Sequence, residues 1–277
     1  MPPTGAASGA AAAPLLGRAA PDAPVVVAAP LPAAELSASA AGTSRLAPEL
    51  RAWTEWQANP DLPGTERTRH AEQARLPVVK ALFAQASVPF PPAELLLRVF
   101  KRDRQLEVWA SGAPGARAER IATYSICAAS GELGPKRHEG DNQVPEGFYH
   151  IEYGWPESAF HLSMKVSYPN EADKLREPRS KALGGDIMIH GGCASIGCIA
   201  ISDERIEEVW VMMKALRSGK VHVHILPARD LHGLLQDERL AEHHAFWSNL
   251  DQGNERFEQS HRIADVKVDW HGAYRFE

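Results

Sequence analysis

Short stretches in which apolar and polar residues alternate predict a series of β-strands in the middle of the chain. Residues 96–100 and 105–109 have this pattern and flank a charged turn at 102–104, which predicts a hairpin. Further strands are predicted at 121–129, 148–153, 160–167 and 221–226. Because no helix is predicted among the first five strands, we expect a mainly antiparallel β domain within an α+β chain.

Apolar residues spaced three or four apart predict helices on both sides of the strands. The region 46–95 is predicted to be helical, with a second helical candidate over 68–86, of which Pro77 is one possible starting point. Another helix should follow Ser202 as its N-cap, with Asp203 in its first turn. Residues 228–277 predict a helical arm with a final strand. The aromatic residues expected to hold this arm to the domain are Trp247, Phe257, Trp270 and Tyr274.

Composition divides the chain into four segments. Residues 1–45 are rich in Ala, Pro, Gly and Ser and offer little to bury, so they are predicted to be disordered. The others are the helical region 46–95, the β domain 96–227 and the arm 228–277.

A net charge of −5 without a basic block argues against a nucleic-acid partner. No apolar run reaches the roughly 18 residues of a membrane helix, and no convincing signal peptide is present.

One stretch, residues 186–201, combines the parts of a reactive site. It ends a buried strand, bends through several glycines, and contains His190 and Cys198, which could act as a base and a nucleophile. Taken alone, a buried cysteine is usually inert and a histidine at a strand end is usually structural. A zinc site is the other alternative. Its candidate ligands are His190, Cys193, Cys198, His222 and His224.

The zinc alternative ranks low because these spacings match no common zinc motif, which usually contains paired Cys-x-x-Cys units. The alternation of 221–226 places His222 and His224 on one exposed face of the closing strand. We therefore expect neither a metal nor another cofactor.

The sequence His190-Gly191, followed by Ser-Ile-Gly-Cys at 195–198, resembles the active-site signature of the L,D-transpeptidase (YkuD-type) family. The short spacing is similar to the compact YafK-like branch. Residues 134–149, which contain Asp141 and Pro-Glu-Gly-Phe-Tyr, resemble the upstream family element. The resemblance covers about residues 96–227. It implies a curved β-sandwich catalytic domain with flanking helices and a periplasmic enzyme that remodels peptidoglycan.

The resemblance also implies roles for individual residues. Cys198 would attack an amide carbonyl of a peptidoglycan stem peptide, and His190 would take the thiol proton. The backbone carbonyl of Gly191 would orient the histidine ring. Backbone N–H groups at Gly197 and Cys198 suit an oxyanion hole, while Ser195 either supports this loop or only stabilises its turn.

Two departures from the family pattern leave the reaction outcome open. Ala200 stands where the common pattern has Arg, and Ile196 stands where many members have a polar residue. The thioester could be resolved by an amine, from another stem peptide or a peptidoglycan-anchored lipoprotein, or by water. Transpeptidation and hydrolysis therefore both remain, and a non-catalytic module that binds cell-wall peptide is the alternative of another class.

Two further expectations concern the surroundings of the thiol. Residues 168–185 form a long segment whose Arg176, Arg179 and Lys181 would either meet substrate carboxylates as a cationic flap or lie on a solvated loop. Cys127 and Cys193 could form a disulfide that leaves Cys198 free, or both could be reduced.

Overall fold

The computed structural model describes residues 66–177, 182–217 and 219–277 and has an α+β fold. Its helices are α1 (Glu66–Gln85), α2 (Glu171–Arg176), α3 (Asp203–Ala215), α4 (Leu231–Leu235), the 3-10 helix Glu238–His243 and α5 (His244–Ser260). Its strands are β1 (Glu94–Phe100), β2 (Gln105–Ser111), β3 (Glu119–Ser125), β4 (Ala128–Ala129), β5 (Gly147–Ser158), β6 (His161–Val166), β7 (Met188–His190), β8 (Ile199–Ala200), β9 (Val221–Leu226), β10 (Val266–Val268) and β11 (Tyr274–Phe276). The predicted disordered segment 1–45 and residues 46–65 of the helical region lie outside the described residues.

Nine of these strands form a single sheet in the order β3-β2-β1-β9-β5-β6-β7-β8-β4. Six of its eight neighbouring pairs are antiparallel, whereas β1·β9 and β7·β8 are parallel. The α+β class and the mainly antiparallel pairing agree with the prediction. The curved antiparallel β-sandwich implied by the resemblance is not confirmed in that detail, because the nine strands form one mixed sheet. A period of two reveals a strand but not its partners.

Helix α1 packs on α3 beside the sheet, in contact with the main hydrophobic core. Val79 and Phe83 of α1 are buried there, and Arg75 of the same helix pairs with Glu207 of α3 at 2.8 Å. Pro77 lies inside α1 and does not begin it. Eleven residues of α1 precede Pro77, and the helix continues through it because the proline removes only one backbone donor.

The C-terminal arm covers another part of the sheet. Trp247, Phe257 and Tyr274 are buried, as predicted, but Trp270 is 80 % exposed at the tip of the β10–β11 hairpin. The prediction for Trp270 was wrong because the chain turns there, between β10 and β11, and the ring points outwards.

The two histidines of β9 do not form an exposed pair. His224 is buried against the ring of Phe148, with 4.7 Å between centroids, and His222 is half-buried. Burial, followed by the charge of Arg98, lowers the pKa of His224 well below its ordinary value. The alternation was misleading because β9 lies between β1 and β5 and the arm covers its second face.

No helix in the described ranges has both the length and the apolar character needed to cross a bilayer.

Candidate active site

The pairing of β7 with β8 links the predicted base, at the end of β7, to the segment of the predicted nucleophile, which immediately precedes β8. The parallel register aligns His190 with Ala200 and Ile189 with Ile199. Cys198 lies in the bend just before β8, so the register places it near the level of Met188 on β7, two residues from His190. Seven residues of glycine-rich sequence separate His190 from Cys198 along the chain.

The hydrogen bond of His190 fixes its tautomer. The ring is buried, and Nδ1 lies 2.5 Å from the carbonyl oxygen of Gly191. A carbonyl only accepts, so Nδ1 carries the proton and Nε2 holds a free lone pair. Burial lowers the pKa of His190, while the bond to Gly191 opposes that shift. The imidazole is therefore neutral at pH 7, which is the form a general base needs.

The Cys198 thiol is half-buried and faces the start of β7. Its Sγ lies 3.6 Å from the carbonyl oxygen of Asp186, and the backbone of Met188 also bonds to it. Burial raises the pKa of Cys198, opposed by Met188 and then by the charge of Lys165. The resting group is thus a neutral thiol, and its S–H must rotate away from Asp186 to meet an imidazole.

Lys165 is a charged residue near the thiol that the sequence analysis missed. It lies on β6 opposite Met188, is 7 % exposed, and donates to the carbonyls of Val166 (3.0 Å) and Tyr168 (3.1 Å). Burial lowers its pKa, and the charges of Glu152, Asp186 and Cys198 oppose that shift. No signal for this burial is present in the sequence, because the alternation of residues 160–167 places Lys165 on the polar face with His161 and Ser163, and the structure buries both faces of β6.

The loop from 191 to 198 is held internally and by a disulfide. Ser195 Oγ donates to the carbonyl of Cys198 at 2.7 Å and accepts from the N–H of Gly197 at 3.3 Å. Gly197 has φ +122°, which favours glycine. One of the two expected oxyanion donors, the Gly197 N–H, already has a long hydrogen bond to Ser195 in the resting loop.

The cysteines are arranged as the first of the two alternatives proposed. Cys127 and Cys193 form a disulfide with 5.4 Å between Cα atoms, and Cys198 is free. The bridge joins the loop to the chain beside β4, where the Cys127 N–H also bonds the carbonyl of Ala200. It removes Cys193 from the set of possible zinc ligands.

Similarity to known proteins covers the same stretch of the chain. Residues 95–224 match the model of the L,D-transpeptidase catalytic domain, YkuD. A protein of Escherichia coli (strain K12) that is named as a provisional L,D-transpeptidase, YafK, is 32% identical over 177 residues, which cover 62% of this chain and 70% of that protein.

The chain belongs to the YafK-like L,D-transpeptidase family.

Solved structures with some similarity include the helical cell shape determining protein Pgp2 of Campylobacter jejuni, with TM-score 0.40 and 17% identity over 69% of this chain and 80% of that chain. L,D-transpeptidase 1 of Mycobacterium tuberculosis gives TM-score 0.27 and 14% identity over 48% and 61% of the two chains. These scores are too low to carry an argument about this family member.

The upstream family element, residues 134–149, packs against the loop from 191 to 198. Asp141 accepts backbone N–H bonds from Arg137, His138 and Gln143, and Lys136 donates to it at 2.5 Å. Burial raises the pKa of Asp141, but these bonds outweigh it and lower the pKa. The Gln143 carbonyl oxygen lies within van der Waals distance of residue 197, at 3.5 Å from where a Cβ would stand. The two motifs of the family signature are therefore in contact.

The expected cationic flap is only partly described. Arg179 and Lys181 lie outside the described residues. Arg176 ends the short helix α2, which the sequence analysis did not predict, and packs on the C-terminal arm: Nε donates to the Gly272 carbonyl at 3.0 Å and the guanidinium lies 4.1 Å from the Phe246 ring. The prediction that Arg176 covers the cleft was therefore wrong, because the arm supplies its partners.

Proposed function

We propose that this protein is a cysteine-nucleophile L,D-transpeptidase that remodels peptidoglycan. The observation that carries the proposal is the placement of a free thiol immediately before β8 and of a buried neutral imidazole on the paired strand β7, with Nε2 left unprotonated. Family membership supports the stem peptide of peptidoglycan as the substrate class, and we propose the periplasm as the compartment.

The reaction begins when Cys198 Sγ attacks the amide carbon of the donor peptide. Nε2 of His190 takes the thiol proton as the S–C bond forms, and then delivers it to the nitrogen of the leaving amine as the C–N bond breaks. The product is a thioester on Cys198. The Gly191 carbonyl holds the imidazolium that forms in between, the role that a carboxylate has in other triads.

The second half-reaction releases the thiol. An amine of another stem peptide, or of a lysine on a peptidoglycan-anchored lipoprotein, attacks the thioester carbon while His190 removes its proton and returns it to sulfur. The new amide is the cross-link. The Cys198 N–H, joined by Gly197 once its long bond to Ser195 is exchanged, would hold the oxyanion in both steps.

The resting charges favour proton transfer during attack. Burial raises the pKa of Cys198 and lowers the pKa of His190, so thiol and imidazole are both neutral in the free enzyme. A standing thiolate–imidazolium pair would need shifts in the opposite directions. The proton is therefore expected to move only when the substrate is in place.

Hydrolysis is the second candidate outcome, and the residue at position 200 favours it. Ala200 is fully buried between His190 and Ala128 in the strand register, where the common family pattern has arginine. Without that guanidinium, the protein has one cation fewer for holding an acceptor. Water would then release a peptide or a protein from peptidoglycan.

Purified sacculi and a tetrapeptide stem, with product masses as the readout, separate the outcomes. Exchange or cross-linked products support transpeptidation, and cleaved products support hydrolysis. Cys198→Ala is the matched control and should produce neither. Stem-peptide binding without any product from the wild-type protein would instead indicate a binding module. Addition of EDTA should leave the rate unchanged, because no step uses a metal.

A further inference from the structure

The peptide unit between Gly191 and Gly192 is held from both sides. Its carbonyl oxygen accepts from Nδ1 of His190 at 2.5 Å, and its N–H donates to Oδ1 of Asp203 at 2.6 Å. A trans peptide directs its C=O and N–H in opposite directions. The carboxylate, the peptide and the imidazole therefore form one continuous chain of hydrogen bonds.

Asp203 is available for this contact because of an unusual helix start. It is the first residue of α3, and Ser202 before it has φ 72° and ψ 160° and makes no side-chain cap bond. For a serine this backbone conformation is strained. The turn directs the Asp203 carboxylate back to the loop, where a carboxylate in the first turn of a helix would otherwise remain in solvent or cap the helix.

Gly191 is the residue that lets the carboxylate approach. A Cβ at position 191 would lie 2.6 Å from Asp203 Oδ1 and 2.9 Å from the carbonyl oxygen of Phe160. The neighbouring peptide is fixed as well, since the Gly191 N–H bonds the carbonyl of Leu162 and the His190 carbonyl accepts from Ile201. The loop thus has one conformation at the histidine, and Asp203 fixes the part that the sheet does not.

We propose that Asp203 is a positioning residue for His190 and acts through the Gly191–Gly192 peptide. The inference rests on the proposed function, in which His190 is the base. A hydrogen bond from a peptide N–H to a carboxylate is about twice as strong as one to a neutral acceptor. It withdraws the amide proton and increases the negative charge on the carbonyl oxygen. The Gly191 carbonyl then holds the Nδ1–H tautomer and stabilises the imidazolium, as a buried aspartate does directly in other triads.

Asp203 is otherwise exposed, so its replacement leaves no cavity in the core. The first turn of α3 also supplies a matched control in Glu204, whose contact is with Arg75 at 3.6 Å and not with the loop. Glu204→Gln removes the same charge from the same turn without touching the peptide.

The pH profile of Cys198 alkylation by iodoacetamide is a suitable readout because it requires no substrate. The titratable groups around His190 are Cys198 beyond β7, Lys165 on β6, Asp203 on α3, and His161 with its partner Glu207. Among the residues that the structure describes, only Asp203 reaches the imidazole through the Gly191–Gly192 peptide. The Nδ1 and Nε2 chemical shifts of His190 report the tautomer directly.

For Asp203→Ala we expect alkylation at pH 7 to fall about ten-fold, the factor given by the loss of one charge-assisted hydrogen bond. The acid limb of the profile should move to lower pH, because the imidazolium loses support and the pKa of His190 falls. The His190 nitrogens should show mixed tautomers. Turnover of muropeptide should lose kcat with KM retained. Asp203→Asn, which keeps the shape and can still accept, should lie in between, and Glu204→Gln should match the wild type.

The proposal would be overturned if both Asp203 variants kept the wild-type alkylation rate, the wild-type acid limb of the pH profile and the wild-type tautomer of His190. A fall in melting temperature with an unmoved limb would also overturn it, since that is what a merely structural residue gives. Failure of the proposed function is separate: wild-type protein would then yield no product from sacculi, whatever the alkylation profiles of the Asp203 variants.

Discussion

Two parts of the sheet bury charged groups in different ways. Under the C-terminal arm, the fully buried carboxylate of Glu107 bonds Trp109 and pairs with Arg98, Arg120 and Arg229 at distances of 2.9–3.5 Å. At the candidate active site, the ammonium of Lys165 donates to backbone carbonyls, and His190 and Cys198 are held neutral.

The difference distinguishes charged groups that stabilise the fold from groups that are available for a reaction. Burial raises the pKa of Glu107, but its hydrogen bonds and the arginines outweigh it and lower the pKa, so the carboxylate is charged and satisfied. At the thiol, by contrast, burial is the dominant influence and little compensates it. Perturbed groups with incomplete compensation are typical of functional sites. The comparison therefore predicts that changes at the arm affect stability and changes at the thiol affect chemistry.

The largest expected effect is on chemistry. Cys198→Ala and His190→Ala should each reduce product formation from sacculi at least about 10³-fold, since the nucleophile and base act as a unit. Melting temperatures should stay within a few degrees of the wild type. Retained turnover in Cys198→Ala would remove the enzyme interpretation altogether.

The next effect is on stability alone. Arg98→Ala should cost roughly 3–5 kcal/mol in the free energy of unfolding, because it leaves Glu107 buried without one of its partners and frees Glu258 and Asn254. Urea denaturation measures this. Arg120→Ala is the control: its side chain is 54% exposed, so about 0–1 kcal/mol is expected. Alkylation of Cys198 should be unchanged in both variants. Slower alkylation in Arg98→Ala under folding conditions would contradict the claim that changes at the arm affect stability alone.

Lys165→Met should have the opposite effect to Arg98→Ala, slowing the alkylation of Cys198 without lowering stability. Loss of the buried cation should raise the pKa of Cys198 further and slow alkylation at pH 7 by about ten-fold, the effect of one pKa unit. Lys165→Arg, which keeps the charge, should recover part of the rate.

Stability should not fall in Lys165→Met, and its pH dependence should change. Burial lowers the folded-state pKa of Lys165, so the unfolded chain binds more protons above that value. Wild-type stability should therefore rise as the pH increases towards the ordinary lysine pKa of about 10.5. The variant should lack this rise. A destabilisation comparable with Arg98→Ala would show that Lys165 is a structural cation.

The smallest effect is a displacement of the pH profile of alkylation. The lowered pKa of His190 should place the acid limb below the usual imidazole value of about 6.5, and the raised pKa of Cys198 should place the alkaline rise above the usual thiol value of about 8.5. His190→Ala should lose the acid limb and keep the alkaline one. Limbs converging towards pH 7 in the wild type would indicate an ion pair instead.

Much of the fold could be predicted because its strands carry local signals. The hairpin of β1 and β2 and the helix α3 followed from alternation and helical spacing within a few residues. The pairing of β9 between β1 and β5 could not, since it depends on contacts between residues 72 to 126 positions apart. For the same reason the burial of His224 was missed.

The residues of the candidate site likewise fall into those with a local sequence signal and those without one. Cys198, His190 and Gly191 were predicted because they belong to one contiguous motif. Lys165 and Asp203 come to the site from β6 and from the first turn of α3, and neither has a motif of its own. Asp203 was interpreted as a favourable charge at a helix start, a role that any acidic residue could fill, whereas the structure gives its carboxylate a specific partner in Gly192.

The most direct test of the central claim is the mass of the covalent intermediate. The protein is incubated with a tetrapeptide stem or a carbapenem, quenched in acid and digested. The mass of the peptide that contains Cys198 is then measured by mass spectrometry. The account predicts an acyl adduct on Cys198 in the wild type, none in Cys198→Ala, and a strongly slowed one in His190→Ala. An unmodified Cys198 in protein that releases product, or an adduct on another residue, would contradict it.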